Sequence, residues 1–470
     1  MANPKIDIGG SLDTTLVPRL LAHAVEGTVP PSWEKDRDCA VVGHAQLMDW
    51  LRSDEPPRVY GANTGVGHLD SKPVSSAAMD AFQTELLESH CLGTAPWMSH
   101  WQVRCITLAR LATWRAGGGT ISPELYDHVL RLAQDPEFRA RIPAEASYSA
   151  GDVIPAAHWA SAVVHYQRYL DRFGWQPKEA LSLINGSFIH LGYQLSTLPA
   201  LERALRCAIG QSRLMLELAG SVYDSSLAQK VDPLNDSLAL AWEQIANKGV
   251  TESADRQQHS VSLRGAPQLI EALATAQNWL ETMLARQLQR PSDNPLVFAG
   301  DNAPISQASF LSPTVTQAAG GVLEALLFLA SGIVGRCQHV LSGNVEGIPD
   351  QGVTQKHPLG LIQVPKLMMA RVERMRTYAS RRAFASGGVT SNGIEDLWTQ
   401  GLETARIMER AIEDTLALLR EELIVILWCG GEFGKPGDVP ARLPEAGAPL
   451  ESYCDAAAEY YAGEPYPCEL

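Results

Sequence analysis

Two apolar stripes at helical spacing constrain this chain more than anything else in it. Val315, Ala319, Val322, Leu326 and Leu329 recur at the interval of one helix face, and Ile412, Leu416, Leu419, Leu423 and Ile426 repeat it. Similar periodicity runs through 198–225 and 267–290. A helix with one apolar face must bury it against another element, and several long ones cover each other as a bundle. No alternation of strand-like and helical runs is visible, so the expected fold class is mainly α. The most apolar run, Ala325 to Val334, is short and follows Glu324, so no membrane span is expected.

The front of the chain has a different texture. Gly-, Asn-, Ser- and Pro-rich loops occupy 57–73, 116–123 and 141–156, where chemistry tends to sit on a rigid scaffold. The expected division is an N-terminal active-site region, 1–195, and a central helical bundle with a C-terminal tail, 196–470. The stretch from Gly430, rich in Pro, Gly, Glu and Tyr, reads as an extended or partly ordered tail. Lys and Arg number 38 against 53 Asp and Glu, with no basic block, which argues against nucleic-acid or anionic-membrane partners. The first residues lack an apolar core of signal-peptide length. Eight cysteines are scattered without a CxxC pair, which reads as reduced and cytoplasmic. With no His/Cys cluster at ligand spacing, no metal is expected.

Six short segments stand out. Tyr60-Gly61-Ala62-Asn63-Thr64-Gly65-Val66-Gly67 is glycine-rich and lets a tyrosine project from a loop. Ser89-His90 ends a run in which Met79, Phe82 and Leu86 keep helical spacing. The segment 142–158, IPAEASYSAGDVIPAAH, places Asp152 to cap a following helix, with Pro155 tolerable in its first turn. KEALSLINGS, QHSVSLRGAPQ and TSNGIED complete the set. Taken singly, each reads as an ordinary loop, cap or structural histidine. Their order and separation carry the stronger meaning.

Together with Ser292-Asp293-Asn294-Pro295, these segments resemble the aromatic amino acid ammonia-lyases and aminomutases over roughly residues 55 to 400. The resemblance implies an ammonia-lyase-like long helical bundle that acts on a small amino-acid-like substrate, as a cytoplasmic homotetramer with active sites shared between subunits. It assigns Tyr60, His90 and Glu395 to catalysis, and Asn185 to contact with the prosthetic group. Substrate binding falls to Ser89, Gln258 and Arg264. A guanidinium suits a carboxylate because it forms two parallel charge-assisted hydrogen bonds. The Ser89-His90 pair is similar to the histidine branch.

The pattern breaks at the family's electrophile. That group, a 4-methylidene-imidazol-5-one, forms from an Ala-Ser-Gly triplet when the central serine loses its hydroxyl. The aligned triplet here is Ser149-Ala150-Gly151, and alanine has no leaving group on its β-carbon. The group is expected only where position 150 carries serine, so none is expected in this form. Val261 replaces the second family tyrosine and Ile394 the glutamine of NQED. Elimination or amine migration is therefore expected to be lost or altered. The alternatives are acid–base chemistry without the electrophile (cyclisation, dehydration or conjugate addition) and a non-catalytic binding homologue.

Overall fold

The computed structural model describes residues 12–147, 151–221, 223–234, 237–246, 258–380, 388–434 and 443–463. Among the helices that position the site, the front half supplies α1 (Met79–His90), α2 (His100–Arg115), α3 (Val153–His165) and α4 (Glu179–Ile184). The remainder are α5 (Phe188–Leu218), α6 (Val261–Arg264), α7 (Ala266–Leu288), α8 (Pro313–Val340), α9 (Val364–Ala379), α10 (Gly401–Phe433) and α11 (Leu450–Gly463). Strand pairing among the described residues is limited to isolated bridges.

Helix ends follow local chemistry. At the start of α2 the Ser99 hydroxyl accepts the Gln102 N–H at 3.2 Å, while the Gln102 side chain accepts the Ser99 N–H at 2.8 Å. This reciprocal box satisfies donors that a helix start leaves open. Helices α5, α7, α8 and α10 then pack on one another, with α2 laid along α5. The stripe from Val315 to Leu329 is wholly buried, as is that of α10 except for the half-buried Leu416. Helix α8 is long and apolar enough to cross a membrane, but 67% of its most apolar window is buried within the protein. It is a core helix.

Two boundaries differ from the sequence expectation. Helix α5 begins at Phe188 rather than near 198, because every residue from Phe188 to Leu198 is buried and no one-sided stripe forms there. The tail contains a helix: α11 docks on α10, with Tyr453 buried beside Trp428 at 5.0 Å between ring centres. Pro444, Gly447 and Pro449 lie in the connection before it, and their composition masked the helix.

Inside the bundle, Arg336 of α8 meets Glu422 of α10 with both side chains at 0% exposure. The contact is bidentate, one arm at 2.7 Å. Such a pair is costly to desolvate and far costlier to break on one side, so it fixes the register of α8 against α10.

Candidate active site

A cavity of about 640 Å³ opens where the glycine-rich loop, α1, the turn after α4, the 294–311 segment and the 391–397 turn converge. Tyr60, Ser89, His90, Asn185 and Glu395 all line it. Five of the residues singled out from sequence thus share one space.

The loop that carries Tyr60 is tied by Asn63. Its side-chain oxygen accepts the Val59 N–H at 2.7 Å, and its amide donates to the Pro57 carbonyl at 2.8 Å. Gly61 has φ 73 and its α-carbon faces Leu181, leaving no room for a β-carbon. The Tyr60 hydroxyl oxygen accepts the Gly67 N–H at 2.6 Å. Burial raises the phenol above its ordinary value of 10.0; the Gly67 N–H opposes this, while Glu395 and Asp70 push it further up.

At the end of α1, the His90 Nδ1 lies 2.7 Å from the Leu86 carbonyl, an oxygen that can only accept. In the neutral ring Nδ1 therefore holds the proton, and Nε2 keeps its lone pair. Ser89 sits beside it, its hydroxyl 3.2 Å from the same nitrogen. Glu85, one turn earlier, also lines the cavity.

Of the triplet, the structure describes Gly151 alone. Ser149 and Ala150 fall outside the described residues. Gly151 has φ 90, and a β-carbon there would lie 3.8 Å from the Asn185 side-chain oxygen. The Asn185 amide donates to the Asn294 carbonyl at 3.0 Å. Asp152 stands at the start of α3 but does not cap it with its side chain. Its φ of 49 is left-handed, whereas capping side chains reach back from an extended residue. The carboxylate turns instead to His190 Nδ1 at 2.6 Å and to the Ser147 hydroxyl at 2.7 Å. The flanks suit the family's prosthetic group, but the centre does not. An alanine β-carbon has no oxygen to lose, so position 150 as written does not fit that group.

On the opposite wall, the turn after Val389 places Glu395, whose carboxylate accepts the Thr390 hydroxyl at 2.7 Å. Ser391 in that turn faces Gly67 of the tyrosine loop. With Glu85 and Asp396, Glu395 makes the lining acidic, and no lysine or arginine joins it among the described residues.

Arg264 and Gln258 do not reach this cavity in the single chain. Arg264 ends α6, exposed, with its Nε donating to the His259 carbonyl at 2.9 Å. Gln258 is exposed beside it. Val261 on the same turn is 73% exposed. No group of three or more metal-ligating side chains occurs among the described residues.

Sequence reasoning missed Glu85, Asp396, Phe82 and Phe310, all on the cavity wall. Glu85 was detectable as the residue four before Ser89 on one helix face. Phe310 had no signal, since its segment is irregular.

A sequence profile described as "Aromatic amino acid lyase" matches residues 34–428. Histidine ammonia-lyase of Legionella pneumophila (strain Paris) is 26% identical over 416 residues, spanning 82% of this chain and 80% of the relative. Histidine ammonia-lyase of Rhodospirillum rubrum is 25% identical over 491 residues, 90% of this chain and 92% of the relative. Among solved structures, tyrosine aminomutase from Streptomyces globisporus matches with TM-score 0.78 at 21% identity, over 94% of each chain. Ergothionase from Treponema denticola, described as an ergothioneine degrading enzyme, matches with TM-score 0.81 at 17% identity, over 96% of this chain and 98% of that one.

Proposed function

This chain belongs to the aromatic amino acid lyase family, and we propose that it performs carbon–nitrogen bond chemistry on an amino-acid-like carboxylate by acid–base catalysis without the methylidene electrophile. The observation that carries this reading is the joint placement of Tyr60, His90, Asn185 and Glu395 on one cavity, beside a triplet written Ser-Ala-Gly.

The side chains divide the work. Tyr60 or the Nε2 lone pair of His90 takes a proton from carbon, the C–H electrons form the new double bond, and the amine leaves with the C–N pair. A positioned base of this kind contributes about 10²–10⁴-fold. With no electrophile to capture the nitrogen, the amine has to leave from a cationic form. Glu85, Glu395 and Asp396 favour that form in the pocket. Ser89-His90 supports an imidazole-like or similarly polar side chain.

The substrate carboxylate is the unmet half of this scheme. We place Arg264 and Gln258 of a neighbouring copy against it, in a homotetramer. Exposed apolar residues support association: Val261 on α6, Phe328 on α8 and Leu367 on α9. The scattered thiols suit a cytoplasmic setting.

The test is a substrate panel: histidine, phenylalanine, tyrosine, tryptophan and ergothioneine, the compound degraded by the structurally similar Treponema enzyme. Acrylate formation and amine release are followed together. The expected result is turnover confined to ergothioneine, whose quaternary ammonium is permanently cationic and leaves as a neutral tertiary amine, lost in Tyr60→Phe. Rapid deamination of the free amino acids would overturn the proposal. Tight binding of these carboxylates with no turnover of any would identify a binding homologue instead.

A further inference from the structure

Another cavity, of about 540 Å³, opens between α9 and α10. Arg374, Thr377 and Tyr378 of α9 line it with Arg410, Glu413 and Asp414 of α10, and none of the six borders the Tyr60 cavity. Its floor is a closed polar network. The buried Asp414 accepts Arg374 Nε at 3.1 Å and the Tyr378 hydroxyl at 2.8 Å on one oxygen, and Arg374 Nη2 on the other. Arg371 stands 3.8 Å from that second oxygen. A carboxylate so engaged holds the heads of Arg374 and Tyr378 in place and has little capacity left for a ligand.

The rim is the opposite case. Arg410 and Glu413 stand three residues apart on one helix, a spacing at which opposite charges ordinarily meet. Among the described residues they make neither a hydrogen bond nor an ion pair with each other. Arg410, its side chain 54% exposed, leans toward Glu145 at 3.5 Å, the outer limit of a hydrogen bond, and Glu145 is already held by Arg406. Glu413 has no hydrogen-bond or ion-pair partner among the described residues. Burial and the neighbouring Asp414 raise its carboxyl above the ordinary 4.5, and the pull of Arg410 and Arg374 does not reverse this. The Arg374–Asp414 pair cancels itself, so one cation and one anion with unused capacity remain on the same wall. A lone cation would serve only Glu413, and a lone anion only Arg410. A single molecule with both charges serves both.

We propose that this cavity binds a small dipolar ion of the α-amino-acid class, its carboxylate on the Arg410 guanidinium and its ammonium on the Glu413 carboxylate. The first contact is a charge-assisted pair on the N–H edge that Arg410 leaves open. Arg410 holds Glu145 only at the limit, so a bound carboxylate displaces little. The ligand class overlaps the substrate class proposed above, but no imidazole lines this cavity among the described residues and its one phenol donates to Asp414. The site therefore binds without turnover.

The test uses the full chain. Glycine, which has no β-carbon and so nothing to eliminate, is titrated beside acetate and methylammonium, with binding followed by ligand-observed NMR. Glycine is expected to bind at least about tenfold tighter than either half-ligand, and Arg410→Met and Glu413→Gln are each expected to weaken it by about tenfold or more. Crystals of the unaltered protein soaked in free L-selenomethionine locate the site without any variant: an anomalous peak is expected within side-chain reach of Arg410 and Glu413. Acetate binding as tightly as glycine overturns the proposal, and so does a glycine affinity unchanged in either variant. An anomalous map with no peak in this cavity overturns it independently.

Discussion

If Tyr60 and Arg264 serve one site from two copies, two variants that are each inactive should restore activity when mixed. In the single chain Arg264 does not line the cavity, and Tyr60 is held above its ordinary value by burial and by Glu395. Ionising a phenol with a value above 10 at pH 7 costs at least about 4 kcal/mol. A guanidinium brought within about 4–6 Å typically lowers such a group by about 1–3 units, recovering a good part of that cost. In the proposed shared site Arg264 would have two tasks, holding the substrate carboxylate and easing Tyr60 toward its working form.

The magnitudes follow. Tyr60→Phe removes the proton carrier, a loss of about 10²–10⁴-fold in kcat/KM. Its stability cost is about 1 kcal/mol, from the Gly67 N–H left without an acceptor. Arg264→Met removes one partner of a charge-assisted pair, about 2–5 kcal/mol in binding and transition-state stabilisation. After co-expression or dissociation and reassembly of the two variants, about one quarter of sites draw an intact Tyr60 from one copy and an intact Arg264 from another. The assay is kcat/KM on the substrate identified in the panel, before and after subunit exchange. Recovery to about a quarter of the unaltered rate is expected. No recovery, with exchange verified by mass, would refute the shared-site reasoning.

Other consequences can be measured independently. Ala150→Ser restores the missing oxygen between flanks that suit the ring, so intact mass should reveal the cyclised, dehydrated product; an unchanged full-length mass would show that the departures reach beyond position 150. Glu179 is raised from 4.5 to about 7 by burial, against hydrogen bonds from Ser122 and Gln176. The folded state therefore holds its proton more tightly than the unfolded one, and stability falls as pH rises from about 4.5 to 7, then levels. The fall amounts to about 3 kcal/mol, and Glu179→Gln should flatten that part of the pH–stability curve. Glu422→Gln strands the Arg336 guanidinium and should cost about 3–5 kcal/mol in denaturant unfolding, whereas pairing Arg336→Met with Glu422→Leu should recover most of it. Gly61→Ala meets both a positive φ and the Leu181 side chain, and should lower activity and stability together.

What the sequence displayed and what it hid follow from the same physics. The α8 and α10 stripes were legible because each helix is apolar on one side, whereas the start of α5 is buried on every side and shows no period. The tyrosine loop was legible because Gly61 and Asn63 are the residue types that its backbone needs. Arg110 was invisible: one arginine within the apolar run Cys105–Trp114 of α2 gives no sign that it will be fully buried. Asp152 was read as a cap from its position, but its left-handed backbone directs the carboxylate to His190. Phe310 joins the wall through chain folding between distant segments, which no local pattern encodes, whereas Asp396 stood in TSNGIED beside Glu395 and was only not assigned a role.

The motif letters around position 150 have structural duties that do not depend on an electrophile. Gly151 supplies a positive φ beside Asn185, and Asp152 ties the turn to His190 on α5. Pro155 is buried in the first turn of α3, and Asn185 anchors the Asn294 carbonyl. Each would be required to build this cavity floor whether or not a ring ever forms there. The written likeness of this segment to its family therefore measures a shared scaffold, and carries little information about the reaction. Position 150 is different: its β-substituent decides whether an alkene acceptor can exist. In this chain that substituent is a hydrogen, and the proposed chemistry therefore draws on what the cavity wall itself presents, a phenol, an imidazole and three carboxylates.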